Sequence, residues 1–238
     1  MDNAGYVSLT RQAGLLKELQ TVANNVANIS TAGYRRQGVV FSEYVKSASE
    51  QSPSLSFADA NGRLTDPTEG ALSKTGGTFD FAIEGNGFFQ LQTPNGIRLT
   101  RAGAFTPNAA GELVSSDGFR LLDTGGAPIM IPPDAAHVAL ARDGTLSANG
   151  APIAKVGIVQ PRNRRDLIRE GGVLFKSASG LEPVETPSIF QGFLESSNVN
   201  PVTEMARLIE VQRSYELGQK FLDREDARIR NVIRTLGG

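Results

Sequence analysis

Cysteine is absent from this 238-residue chain, so disulfides, thiol nucleophiles and cysteine metal sites are excluded. Tryptophan is absent as well, and the one histidine, His137, leaves no poly-histidine metal site and a single candidate imidazole base. That residue follows Asp134-Ala135-Ala136 at the start of a strand-like segment, and no Gly-x-Ser-x-Gly elbow accompanies it, so it reads as a surface histidine. An excess of one charge is also lacking. The 24 Lys and Arg against 25 Asp and Glu give a net charge of −1, unlike a protein that binds nucleic acid by neutralising phosphates. No apolar run approaches the roughly 20 residues needed to span a bilayer. Met1-Asp2-Asn3-Ala4-Gly5 has neither the basic nor the apolar stretch of a secretory signal. No Walker-type phosphate loop occurs, and Gly85-Asn86-Gly87 reads as a turn. No catalytic, cofactor or metal site is expected.

Two long helices are present in the pattern. Residues 3–29 contain no proline; Leu9, Leu16 and Ala23 recur at every seventh position, as do Gln12, Leu19 and Val26, with Leu15, Val22 and Ile29 as a flanking column. Asp2 or Asn3 can cap the start, and Ser30-Thr31-Ala32-Gly33 supplies the stop. At the other end, Asn200-Pro201 pairs a capping side chain with a proline at the first helical position. Leu208, Tyr215, Leu222, Ile229 and Leu236 then hold one heptad column, while Met205, Gln212, Gln219, Asp226 and Ile233 form a companion that is apolar only at its ends. The apolar burial in one such pair barely offsets the entropy of ordering it. The termini are therefore expected to be largely disordered in the isolated chain and to order on assembly.

Between the helices the period changes to two. Phe88–Leu91 and Ile97–Thr100 flank Pro94-Asn95-Gly96; Leu113-Val114 and Phe119–Leu122 flank Asp117-Gly118; Val138–Leu140 and Thr145–Ser147 flank Asp143-Gly144. The recurring Asn-Gly and Asp-Gly pairs suit tight turns that need positive φ. The predicted fold class is α+β, with long N- and C-terminal helices and a central antiparallel β domain inserted between them. The expected division is 1–32 plus 200–238 for the helices, 33–75 plus 186–199 for an irregular or extended connection, and 76–185 for the β domain.

Charged groups offer little chemistry. Asp80, Glu84 and Glu112 have no reason in sequence to meet. Arg162, Arg164, Arg165, Asp166, Arg169 and Glu170 read as a solvated connection between strands. Arg35-Arg36 follows the first helix, where cations complement the helix C-terminus. The run Asp223–Arg228 reads as a solvated or inter-helix charged face.

Longer motifs carry a resemblance. Ala23-Asn24-Asn25-Val26-Ala27-Asn28, followed by Thr31-Ala32-Gly33-Tyr34-Arg35-Arg36, resembles the signature of the bacterial flagellar axial and basal-body rod proteins. Glu195-Ser196-Ser197-Asn198-Val199-Asn200-Pro201-Val202-Thr203-Glu204-Met205 and Gln212-Arg213-Ser214-Tyr215-Glu216 resemble the same family's approach to its last helix. Gly70–Gly76, Ala82–Phe89 and Leu99–Phe105 resemble its middle segments in order, so the likeness covers nearly the whole chain. Val26 replaces the usual Leu and Tyr34 the usual Phe. The chain is most similar to the proximal rod type, with the distal rod type as the alternative.

The resemblance implies a structural subunit of the basal-body rod, with terminal helices paired as a coiled-coil inner layer and the β domain outside. It implies a rod crossing the periplasm, subunits exported through the flagellar type III apparatus without a cleavable signal, and other rod proteins as partners, with the surrounding rings as further candidates. Transmission of torque around an export channel follows from it as well. Subunit contacts are expected at Leu9, Leu16, Leu19 and Val26 of the first helix and at Met205, Leu208, Tyr215, Leu222, Ile229 and Leu236 of the last. The motif residues Asn24, Asn25, Asn28, Tyr34, Asn198, Asn200, Gln212 and Arg213 complete the expected interface, the first three as hydrogen-bond donors and acceptors to neighbouring backbone. A β-domain hydrolase or binder of peptidoglycan is the reading from another class, and neither a carboxylate pair nor a serine motif supports it.

Overall fold

The computed structural model describes residues 3–46, 55–163 and 166–236. Helix α1 spans Asn3–Ala27 and helix α2 spans Pro201–Leu236. The boundaries follow local chemistry. Asn200 Oδ1 accepts the backbone N–H groups of Val202 and Thr203 at 3.0 and 3.1 Å, which satisfies donors that a first turn leaves without helical partners. At the end of α1 the Asn28 amide donates to the Asn25 carbonyl at 3.1 Å, and the chain leaves the helix through Gly33 at φ +69°.

The chain forms two compact units. The first comprises residues 1–28, 36–66 and 199–238. Within it, strands β1 (Gln37–Lys46) and β2 (Leu55–Thr65) pair antiparallel, with a register shift between Val40 and Phe41. Both strands contact α1. The hairpin lies within 33–75, which was expected to be irregular or extended; its regularity comes from the paired backbones rather than from an alternating apolar pattern.

Helices α1 and α2 also lie together, and they run antiparallel. Gln12 Nε2 donates to the Tyr215 carbonyl at 2.9 Å, Arg207 Nε donates to Glu18 Oε1 at 2.8 Å, and Asn25 Nδ2 donates to Glu204 Oε2 at 3.1 Å. The bond to Glu18 raises the Arg207 pKa. Among the residues of α1 from Ser8 onward, Gln12, Gly14, Glu18, Thr21, Val22 and Asn25 are buried, whereas the Leu9, Leu16 and Ala23 column is exposed. Both ends are helical in the structure, and the hairpin and these polar bonds supplement the sparse apolar seam.

The second unit comprises residues 29–35 and 67–198. Its main sheet is antiparallel and runs, in spatial order, through 167–171, 174–177, 96–100, 88–93, 120–121, 113–115 and 105–107. Strand Ile158–Pro161 joins it by pairing with both Phe88-Phe89 and Leu181–Pro183. The three turn signals read from sequence each join paired strands. Because side chains alternate along a strand, the register Phe89↔Thr100 and Gln90↔Leu99 divides the core between the two faces. Phe89, Leu91, Phe105 and Leu121 belong to the larger cluster, while Leu99, Val159 and Phe175 form the smaller one. Phe89 meets Phe105 edge-on at 5.4 Å between ring centroids. Phe89→Ala should therefore destabilise the second unit by about 3–5 kcal/mol, read from the denaturant midpoint.

Candidate functional site

Two buried carboxylates organise the motif residues, one in each unit. In the first unit Glu204 has no exposed surface, and neither has Asn25. The Asn25 amide reads the hairpin backbone from both sides: Nδ2 donates to the Gln37 carbonyl at 2.8 Å, and Oδ1 accepts the Gln37 N–H at 2.9 Å. The same Nδ2 reaches Glu204 Oε2, and Arg36 Nε forms an ion pair with Glu204 Oε1. A buried anion left without such partners would be strongly unfavourable. Asn25, Arg36, Gln37 and Glu204 therefore lock the end of α1 to the start of α2 and to the root of the hairpin.

In the second unit the carboxylate is Glu195, 1% exposed. Its Oε1 pairs with Arg35 Nη2 at 2.8 Å and accepts the Gly70 N–H at 3.0 Å, while Oε2 pairs with Arg101 Nη1 at 3.1 Å. Arg101 also donates to the carbonyls of Ile83 and Gly85, and Arg35 donates to those of Pro67 and Thr68. Burial pushes the Arg101 pKa down, and the neighbouring Glu195 charge opposes that shift. Here backbone meets backbone closely. A methyl on Gly33 would lie 2.2 Å from the Ala102 nitrogen, and one on Gly70 would lie 1.8 Å from the Ser196 oxygen, so both positions require glycine.

Tyr34 is buried beneath Arg169, whose guanidinium carbon sits 4.3 Å from the Tyr34 ring centroid and 4.8 Å from that of Phe175. Burial pushes the Arg169 pKa down. The Arg162–Arg169 segment is thus not simply solvated: Arg169 is sandwiched between aromatic rings, while Arg162 pairs with the exposed Glu182 at 3.3 Å. Arg164 and Arg165 lie outside the described residues. Arg35 and Arg36 likewise do more than complement a helix end, since each holds a buried carboxylate.

The remaining expected interface residues divide by exposure. Leu9, Leu16, Met205, Ile229 and Leu236 are exposed, as are Asn24, Asn200, Gln212 and Arg213; Leu19, Val26, Leu208, Tyr215 and Leu222 are half-buried. Of the three asparagines read as backbone binders, Asn25 bonds across the fold, Asn28 donates from its side chain to the nearby Asn24 carbonyl, and Asn24 is exposed. Asn198 Nδ2 donates to the Thr68 carbonyl at 2.8 Å. Gln212 is engaged locally with Glu216. Glu195, Glu204 and Arg101 stand in the motif segments without a role assigned from sequence; the signal available was a charged residue set beside glycine or asparagine within each motif.

No group of three or more potential metal-ligating side chains occurs among the described residues. His137 is exposed, and its backbone N–H donates to Asn149 Oδ1. Asp80, Glu84 and Glu112 are engaged separately with Thr75, Ser188 and Arg120. The arrangement joins distant chain segments. Glu195→Ala should destabilise the second unit by about 3–5 kcal/mol by leaving two buried guanidinium groups without their carboxylate. Glu195→Gln, which keeps an acceptor, should cost less, and chemical denaturation of the two variants side by side checks the order.

Comparison with known proteins locates these motifs in one family. A model of the flagella basal body rod protein matches residues 6–35, a model of the flagellar hook protein FlgE/F/G D1 domain matches 82–148, and a model of the flagellar basal body rod FlgEFG protein C-terminal region matches 191–235. The flagellar basal-body rod protein FlgF of Caulobacter vibrioides is 39% identical over 242 residues, covering 100% of this chain and 99% of that protein. The FlgF protein of Mesorhizobium japonicum is 38% identical over 246 residues, with the same coverage. The FlgG rod protein of Bacillus subtilis is 28% identical over 96% of this chain and 97% of its own length. The buried Asn25, Arg35, Glu195 and Glu204 all fall within the matched terminal regions, and the chain belongs to the flagellar basal-body rod protein family.

Proposed function

We propose that this chain is a structural subunit of the flagellar basal-body rod, of the proximal type, which assembles with other rod subunits into a tube that carries torque. The observation that carries this reading is the inverted polarity of the helical unit. Glu18, Asn25, Arg36 and Glu204 turn their charges and amides inward to one another, whereas Leu9, Leu16, Ile209, Leu217, Phe221 and Ile229 are exposed. A soluble protein that acts alone does not leave large apolar side chains along both of its longest helices; surfaces of this kind are buried by partners.

In this reading the helical segments 1–32 and 200–238 form a coiled-coil inner layer around an export channel, residues 33–75 and 186–199 connect, and 76–185 faces outward. The exposed interface residues of the terminal motifs meet neighbouring rod subunits, and the fully engaged ones, Asn25 and Tyr34, hold those surfaces in place from behind. The flagellar type III apparatus delivers the chain, and the rod crosses the periplasm within the surrounding rings. Family membership at 38–39% identity to FlgF proteins along the full length supports the proximal assignment over the distal one.

The direct test is Leu16→Asp in a strain that depends on this chain for rod growth. Leu16 is 42% exposed, so the substitution should leave the circular dichroism spectrum intact and shift stability by no more than about 0.5 kcal/mol. Swimming should nevertheless be lost and basal bodies should end short of the hook. Normal motility in that strain would refute the assignment.

A further inference from the structure

In the second unit, the strand Gly96–Thr100 carries two neighbouring side chains against type: Ile97 is 47% exposed, whereas Arg98 is only 7% exposed. Alternation along the strand sends them to opposite faces, and Arg98 stands opposite Leu91, a residue of the larger apolar cluster. A cation placed there costs free energy unless its donors are engaged. Arg98 Nε pairs with Glu170 and Nη1 donates to the Ile97 carbonyl at 3.0 Å, but Nη2 makes no hydrogen bond with any described residue. Arg98 is the most deeply buried of the residues that line a cleft of about 390 Å³.

Three turns between paired strands form the rim of this cleft, at residues 93–96, 116–119 and 171–173. Each is fixed by a side chain. Thr93 Oγ1 donates to the Gly96 carbonyl at 2.7 Å, Ser115 Oγ accepts the Phe119 N–H at 3.3 Å, and Arg169 Nη1 donates to the Gly172 carbonyl. A rim held in this way lowers the ordering cost of binding. The lining is of mixed sign. Beside the Arg98 donor stand two exposed carboxylates, Glu170 and Asp117, and the half-buried Phe119 and Leu174 supply an apolar wall. The Asp117 carboxylate is engaged by no other described residue.

We propose that this cleft binds a neutral sugar ring of a glycan chain, with Arg98 Nη2 donating to one hydroxyl, Asp117 accepting from another and Phe119 covering the apolar C–H face. Charge selects against the simpler ligands. An anion would meet Asp117 and a guanidinium that Glu170 already neutralises, and a cation would meet Arg98. A hydroxyl both donates and accepts, so vicinal hydroxyls satisfy the guanidinium and the carboxylate together. The volume lies at the small end of ligand sites and suits a short stretch of such a chain. The carboxylates orient the sugar, and no bond is made or broken. The cleft is built wholly from the second unit, so this role is separate from the rod-subunit reading and neither requires the other.

Amide NMR of the full, isotope-labelled chain reads the site directly. Chitotriose, an N-acetylated sugar trimer, and cellotriose, its unsubstituted counterpart, are each added at millimolar concentration, with acetate and free lysine as charged controls. At least one sugar should shift the amides of residues 95–98, 117–119 and 171–174, and the stronger of the two tells acetamido glycans from unsubstituted ones as the source. Asp117→Ala, at an exposed position, should keep the fold and weaken binding about tenfold. Arg98→Met, verified as folded by circular dichroism, should abolish the shifts; if it does not fold, Asp117→Ala decides alone. Absence of shifts with both sugars, shifts confined to other residues, unchanged binding in Asp117→Ala, or a response to acetate or lysine alone each overturn the proposal. Those outcomes leave the rod assignment standing, since Leu16→Asp tests it separately.

Discussion

A carboxylate removed from water must find cations or donors, and two such groups set the terms for this fold. Glu195 and Glu204 bracket the short segment that leads into α2, and both are buried. Their partners come from the other end of the sequence: Asn25 lies in the last turn of α1 and Arg35 and Arg36 follow that helix, with Arg36 and Glu204 separated by 168 positions. Neighbouring arginines thus serve different units, Arg35 in the one containing Glu195 and Arg36 in the one containing Glu204. Neither unit is complete until both ends of the chain are present. The terminal motifs are two halves of the same pair of networks, which is why their letters run so long: glycines for close backbone approach, an asparagine that reads a peptide group from both sides, and charges that must match.

Much of the architecture was legible because it is local. The heptad columns and the Asn200-Pro201 start place both helices nearly to the residue, and Pro94-Asn95-Gly96, Asp117-Gly118 and Asp143-Gly144 each mark a turn between paired strands. What stayed hidden is non-local. The Ser- and Gly-rich stretch around β1 and β2 shows little alternation, since its order comes from backbone pairing and from α1. Arg35-Arg36 looks like helix-end charge until the distant carboxylates are in view. Arg169 looked like one more solvated cation in a basic loop, but Tyr34 and Phe175 enclose it from two sides. Asn24 and Asn25 are indistinguishable by type, and only the helical rotation between them sends one outward and the other to Gln37.

The division of labour between polar and apolar groups follows from their directionality. Hydrogen bonds and ion pairs demand defined partners, so Gln12 on Tyr215, Arg207 on Glu18 and Asn25 on Glu204 admit one register of α1 against α2. Apolar contact is less particular about its partner and is proportional to area. Placing the selective groups inside and the permissive ones outside fixes the shape of each subunit first and leaves its outer faces sticky.

The antiparallel run of α1 and α2 brings Asn3 and Leu236 to the same end of the helical pair. A fluorescent protein or affinity handle fused to either terminus would therefore crowd one and the same apolar end, so moving a tag from front to back gives no relief.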